Sequence, residues 1–203
     1  MSLNTGISES NGKWLKWFSP DDVLYPDCIK TLVDNVNDNT IVYSNWDIID
    51  ENSRLMRTFS ESDYNSLKQF DFNVRLLDGQ QINVNTTLIP MILFKKGCTI
   101  HSIKDPVGID YDFFLNAALH FNVGFHLVKK SLIKYRIHSK QLSHKNIVET
   151  LSFIEKLRHE HLSRLDAKTR TKYNKELENY KKTKSISKKN NGSGITIGIK
   201  TSS

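Results

Sequence analysis

The 203 residues carry 38% hydrophobic and 10% aromatic side chains, enough for one cored domain with a helical appendage, and a formal net charge of +7. No apolar run approaches the roughly 20 residues of a membrane span, and Met1 leads into polar residues rather than a signal sequence. Cys28 and Cys98 stand without motif spacing, so a disulfide framework is excluded and a reducing, cytoplasmic setting is expected.

Along the chain, Met1 to Ser10 is short and polar. Trp14 to Phe18 reads as a strand buried on both faces, ended by Ser19-Pro20. Pro26 suits the first turn of a helix whose apolar stripe is Ile29, Leu32, Val33 and Val36. Thr40 to Ile49 is β-rich, residues 50–53 read as a turn, and Arg54 to Phe59 reads as a hairpin partner. A short helix is expected within 60–72. Val74–Leu77 and Gln80–Val84 flank Asp78-Gly79, which predicts a second hairpin. Thr87 to Phe94 is buried, with Pro90 opposing a regular strand. Asp110 to Phe121 predicts a helix with Phe113, Phe114, Ala117, Ala118 and Phe121 on its apolar face, and Phe125 to Ile137 predicts a strand. Amphipathic residues 146–164 and charged residues 169–182 predict two more helices, and the final stretch reads as disordered. The basic excess belongs to the C-terminal third. It favours an anionic surface, a membrane or a nucleic acid, as partner for that end; a solvated basic tail is the plain alternative.

Two acids, Asp21 and Asp22, follow the first buried strand. Ligands bind at the carboxyl edge of open α/β sheets, and paired carboxylates there suit Mg²⁺ or Mn²⁺ bridging substrate phosphates. The competing reading is a cap for the helix at Pro26. Asp110 and Asp112 occupy the first turn of a helix, where negative charge is also favourable for the dipole alone. His138 and Arg136 end a strand and fit a metal or phosphate ligand and a phosphate clamp; a surface strand end is the alternative. Lys13 and Lys16 read as solvated. Trp14, Trp17 and Trp46 read as core or sugar-stacking surface, since no Lys/Arg stripe accompanies them. The histidines and cysteines form no zinc spacing, and no phosphate-binding glycine loop is present.

Several of these blocks occur together in a known order. They are Asn4-Thr5-Gly6-Ile7, Gly12-Lys13-Trp14, Ser19-Pro20-Asp21-Asp22, Gly108-Ile109-Asp110-Tyr111-Asp112 and Tyr135-Arg136-Ile137-His138. Over residues 4–145 the chain resembles the family 2 glycosyltransferases. The family usually has Asp at the position of Ser19 and Glu at that of Ile109, and it begins with nucleobase-holding strands that would lie before Met1. The resemblance implies a partial GT-A α/β fold, a mixed sheet flanked by helices, with a C-terminal helical extension. The expected division is a transferase-like domain at 1–144, helices at 145–182 and a disordered basic tail at 183–203. The implied reaction is inverting transfer of a sugar from a nucleotide-diphospho-sugar to a hydroxyl of a glycan or lipid-linked acceptor. In it Asp22 and His138 hold Mn²⁺ or Mg²⁺, Asp21 and Arg136 contact the donor, and Asp110, or in its place Asp112, is the base. The expected place is the cytoplasm, with peripheral contact at the inner membrane face through the basic C-terminal region; nucleic acid is the less favoured partner. The alternative is an inactive, truncated remnant or binding module.

Overall fold

The computed structural model describes residues 2–100, 108–138 and 147–190. In chain order the elements are α1 (Ser2–Glu9), β1 (Trp14–Leu15), β2 (Val23–Leu24), α2 (Cys28–Val33), β3 (Thr40–Ile49) and β4 (Leu55–Phe59). There follow α3 (Gln69–Asp78), a 3₁₀ turn at Val84–Thr86, β5 (Ile89–Pro90), α4 (Met91–Lys95), α5 (Ile109–His120), β6 (Gly124–Arg136), α6 (Ile147–Ser163) and α7 (Ala167–Asn190).

The centre is a parallel pair, β3 and β6, in register from Thr40 opposite Gly124 to Ile49 opposite Arg136, with bulges around Asn45. β2 extends the sheet beyond β6, and β4 beyond β3, both antiparallel, giving the order β2-β6-β3-β4. A separate antiparallel contact joins β1 to β5. Successive side chains of β3 face opposite sides, as the two-residue period of a strand requires. Ile41 and Tyr43 enter the main core with Phe72, Leu76, Phe113 and Phe114; Val42 enters a smaller one with Cys28, Leu32, Leu88, Leu132 and Ile133. Each such fully buried side chain contributes about 1.5–3 kcal/mol. Because β3 and β6 run parallel, both C-terminal ends emerge at one edge of the sheet. That edge carries Asp50, Arg136 and His138.

α5 is buried nearly all round, from Tyr111 to Ala118, as its almost unbroken apolar sequence requires. Gly108 opens it at φ 84°, and a Cβ there would meet the Phe153 ring at 2.9 Å. Left-handed backbone and close approach both demand glycine. α7 packs on α3 through Phe70 stacked with Tyr173 at 4.6 Å and the Arg75 guanidinium 3.8 Å above the Tyr180 ring.

Several expectations give way. The hairpin at 74–84 is the helix α3 running into a loop. Phe72, Val74, Leu76 and Leu77 are buried on a helix, and Gly79, expected at a hairpin tip, is the residue that ends it. The predicted strand at 14–18 is two residues long and half-buried. Leu32 and Cys28 are the buried face of α2, whereas Ile29 and Val33 are exposed. Residues 2–9, read only as short and polar, are helical, and 60–68, within the stretch expected to hold a short helix, are not. α7 continues to Asn190, past the expected start of a disordered tail at 183; residues 191–203 lie outside the described ones. Both cysteines are free and buried.

Candidate active site

After β1 the chain turns at Ser19–Asp22, closed by the Asp22 N–H on the Ser19 carbonyl at 3.3 Å. Asp22 points inward and is 7% exposed. Its Oδ1 accepts the backbone N–H of Arg136 at 2.8 Å, and its Oδ2 accepts the Asn85 amide at 2.8 Å. Burial raises its pKa to about 6, with the Asp21 charge adding to the rise and the Arg136 N–H opposing it. Asp21 is more open, and its Oδ2 lies 3.1 Å from Nε2 of His138. Arg136 donates from Nε to the Asp21 carbonyl at 2.8 Å, and from its terminal nitrogen to the Asp50 and Glu51 carbonyls and the Ser53 hydroxyl. One guanidinium thus ties the acidic turn to the β3–β4 connection.

Beneath this turn lies a residue expected to be solvated. Lys16 is half-buried, and its ammonium donates to the Asn85 carbonyl and, at 3.0 Å, to that of Thr87. Burial lowers its pKa to about 8. Asn85 in turn accepts the Ser19 hydroxyl at 3.2 Å while holding Asp22. Lys16 therefore supports the loop that supports the acid. Neither Lys16 nor Asn85 stands out in the sequence, although Asn83-Val-Asn85 carries a turn signal: the Asn83 side chain accepts the Asn85 N–H at 3.1 Å.

Asp110 begins α5 and is half-buried. Gln80 donates to its Oδ2 at 2.5 Å, and the Tyr111 N–H to its Oδ1 at 2.9 Å. Burial pushes its pKa up in spite of these donors. Among the described residues no hydrogen bond joins Asp110 to Asp21, Asp22, Arg136 or His138. Residues 80–85 connect them indirectly, since Gln80 holds Asp110 and Asn85 holds Asp22.

Asp112 is not beside the other acids' supports. It is buried at the α5–α6 interface, where its Oδ1 lies 2.9 Å from Nε2 of His161; Nδ1 of His161 lies 3.1 Å from His120. His161 carries no local signal, because its partner is 49 residues away.

For a divalent ion, no group of three or more His, Cys, Asp or Glu side chains gathers among the described residues. Both Asp22 oxygens already accept N–H bonds, which leaves Asp21 and His138 as the more open donors. One or two carboxylates completed by phosphate and water oxygens is a normal Mg²⁺ environment, so the acidic turn fits a site that substrate completes.

Residues 2–97 match the model of Glycosyl transferase family 2. An uncharacterized glycosyltransferase of Rickettsia prowazekii (strain Madrid E) is 33% identical over 69% of this chain and 44% of its own length. The chain belongs to glycosyltransferase family 2. This family 2 chain is also 33% identical to an uncharacterized glycosyltransferase of Rickettsia typhi, over 69% of this chain and 44% of that protein. A third, from Rickettsia conorii, is 30% identical over 71% and 24%. The chain thus spans less than half the length of these curated relatives. Among solved structures, that of S. aureus TarS 1–349 in complex with UDP-GlcNAc superposes with a TM-score of 0.56 at 14% identity, covering 86% of this chain and 50% of that one. The likeness is one of fold. The mixed sheet flanked by helices is the GT-A arrangement expected above. No described helix is long and apolar enough to cross a membrane.

Proposed function

We propose that this chain forms the catalytic part of an inverting glycosyltransferase that moves a sugar from a nucleotide-diphospho-sugar to an acceptor hydroxyl with help from Mn²⁺ or Mg²⁺. The observation that carries the reading is the meeting of Asp21 and Asp22 with Arg136 and His138 at the carboxyl edge of the parallel strands. Asp21 and His138 would hold the divalent ion, which when bound would neutralise charge on the leaving diphosphate. Asp22, buried and bonded on both oxygens, sets the shape of the turn. Arg136 fixes the turn through its backbone and side chain.

Asp110 is the base of this reading. The acceptor oxygen attacks the anomeric carbon from the face opposite the diphosphate. The carbon–oxygen bond to the diphosphate breaks with its electron pair, and the hydroxyl proton passes to the Asp110 carboxylate. Burial, by raising its pKa, makes that carboxylate a better proton acceptor, and Gln80 and the Tyr111 N–H keep it oriented. Asp112, engaged with His161, is the poorer candidate. Synthesis of a surface glycan or glycoconjugate is the setting this chemistry suits.

Calorimetric titration with UDP and with GDP, with and without Mn²⁺, tests the reading. Metal-dependent binding of one nucleotide is expected. No binding of either at millimolar ligand would overturn it and favour a module without turnover.

A further inference from the structure

α7 holds nine Lys or Arg residues against two Glu in the 24 residues Ala167–Asn190. Its inward face is fully employed. Tyr173 and Leu177 are buried, Tyr180 lies under Arg75, Lys172 sits 4.0 Å over the Phe70 ring, and Lys184 pairs with Asp78 at 2.5 Å. The other face is not. Lys168, Lys175 and Lys182 recur at intervals of seven residues and are all exposed. Seven residues advance about 10.5 Å and return to within roughly 20° of the same direction. The three ammonium groups therefore form a straight stripe, with Lys181 exposed beside it. Among the described residues none of the three side chains has a hydrogen-bond or ion-pair partner, and Asp166 and Glu178 are the exposed acids near them. Ile186, 58% exposed, follows Lys182 by one turn on the same side.

We infer that the outer face of α7 lies on an anionic lipid surface, with Lys168, Lys175 and Lys182 over the headgroups and Ile186 reaching toward the acyl boundary. Charge complementarity fixes the sign of the partner. The residue types choose between the two anionic macromolecules. Nucleic-acid grooves favour Arg, whose planar fork matches phosphate, and stacking aromatics. In α7 the one Arg, Arg170, is half-buried and both tyrosines face inward. Compact lysines in a row with one exposed aliphatic residue match a helix lying in the plane of a charged bilayer. The helix is too polar to cross it.

The test is co-sedimentation of the full chain with vesicles of phosphatidylcholine alone and of phosphatidylcholine containing about a third phosphatidylglycerol, at low and high NaCl. Binding to the anionic vesicles alone, weakened by salt, is expected. The triple variant Lys168→Glu, Lys175→Glu, Lys182→Glu should bind at least tenfold more weakly, since each basic residue near such a surface is worth roughly a factor of five. Its circular dichroism and thermal midpoint should match wild type because all three side chains are exposed. Ile186→Asp should weaken binding severalfold with salt sensitivity retained. Failure to bind anionic vesicles at about 0.1 M salt would overturn the inference. So would equal binding to neutral vesicles, an unaffected triple variant, or tighter binding to a labelled RNA or DNA duplex than to the vesicles.

Discussion

Removing the carboxylate of Asp112 tests whether the α5–α6 interface depends on its buried pair with His161. Asp112 is 4% exposed and His161 2%, and their contact is 2.9 Å. Asp112→Ala deletes the acceptor, leaves the imidazole facing protein without that partner, and opens a small void beside α6. Removing one partner of this buried acid–imidazole pair leaves the other uncompensated, at a cost on the order of the 3–5 kcal/mol of a broken buried ion pair. In a chain of this size about 1 kcal/mol shifts Tm by roughly 2–4 °C, so Tm should fall by about 6–20 °C. Asp112→Asn, which keeps an acceptor oxygen, should recover at least half of the loss. Thermal unfolding followed by circular dichroism reads both. The control is Lys30→Ala, which breaks the Lys30–Asp34 pair at 2.6 Å; both partners are exposed and solvent-screened, and no resolvable shift in Tm is expected. An Asp112→Ala shift as small as the control's would refute the reasoning. A normal Tm with lost turnover would return Asp112 to the catalytic machinery.

Asp110→Asn should lower turnover by about 10² or more while leaving UDP affinity within about twofold; unchanged turnover excludes Asp110 as the base. Asp22, raised to about 6 from 3.8 by burial, should titrate near pH 6 in a ¹³C carboxyl experiment, and a midpoint near 4 would contradict the geometry. Its folded form holds the proton longer than the unfolded chain, so its contribution to stability declines as pH rises from 3.8 through 6. Lys16 carries the opposite sign: its value of about 8 lies below the 10.5 of the unfolded chain, which binds more protons between them. The urea stability of wild type relative to Lys16→Met should therefore improve from pH 8 toward 10.5, and a flat difference would show an ordinary, solvated lysine.

Sequence alone made the central strands and α5 legible because their signals are local and redundant. Thr40–Ile49 has five β-branched residues in ten, and Tyr111 to Ala118, apolar but for Asp112 and Asn116, leaves one sensible element. The order of the acidic turn, the Asp110 block and Tyr135–His138 pointed to the family. What stayed hidden depends on distant partners. Asp78-Gly79 is the same dipeptide in a hairpin and after a helix, and packing of Phe72 and Leu76 decides between them. Lys16 reads as a surface lysine until the Asn85 and Thr87 carbonyls, about 70 residues on, fold over it. The unequal burial of Asp22 and Asp21 cannot be read from their adjacency; Asn85 and the Arg136 N–H, which hold Asp22, make the difference. Asp112 at two residues from Asp110 looked equivalent, yet a helix turns adjacent positions of that spacing apart, and only one faces α6.

The parallel pairing of β3 with β6 also has a consequence in time. Thr40 meets Gly124, and Asp22 meets the Arg136 backbone 114 residues later in the chain. At roughly 5–20 residues per second of synthesis, the acidic turn leaves the ribosome about 6–23 s before the strand that closes over it. In that interval β3 can pair with β4 alone, and the apolar side chains of Leu55 and Met56 on that hairpin stay uncovered even in the finished fold. Until β6 has been made, β3 has only β4 beside it in the sheet, and the Asp22 contact with the Arg136 backbone must wait for residue 136.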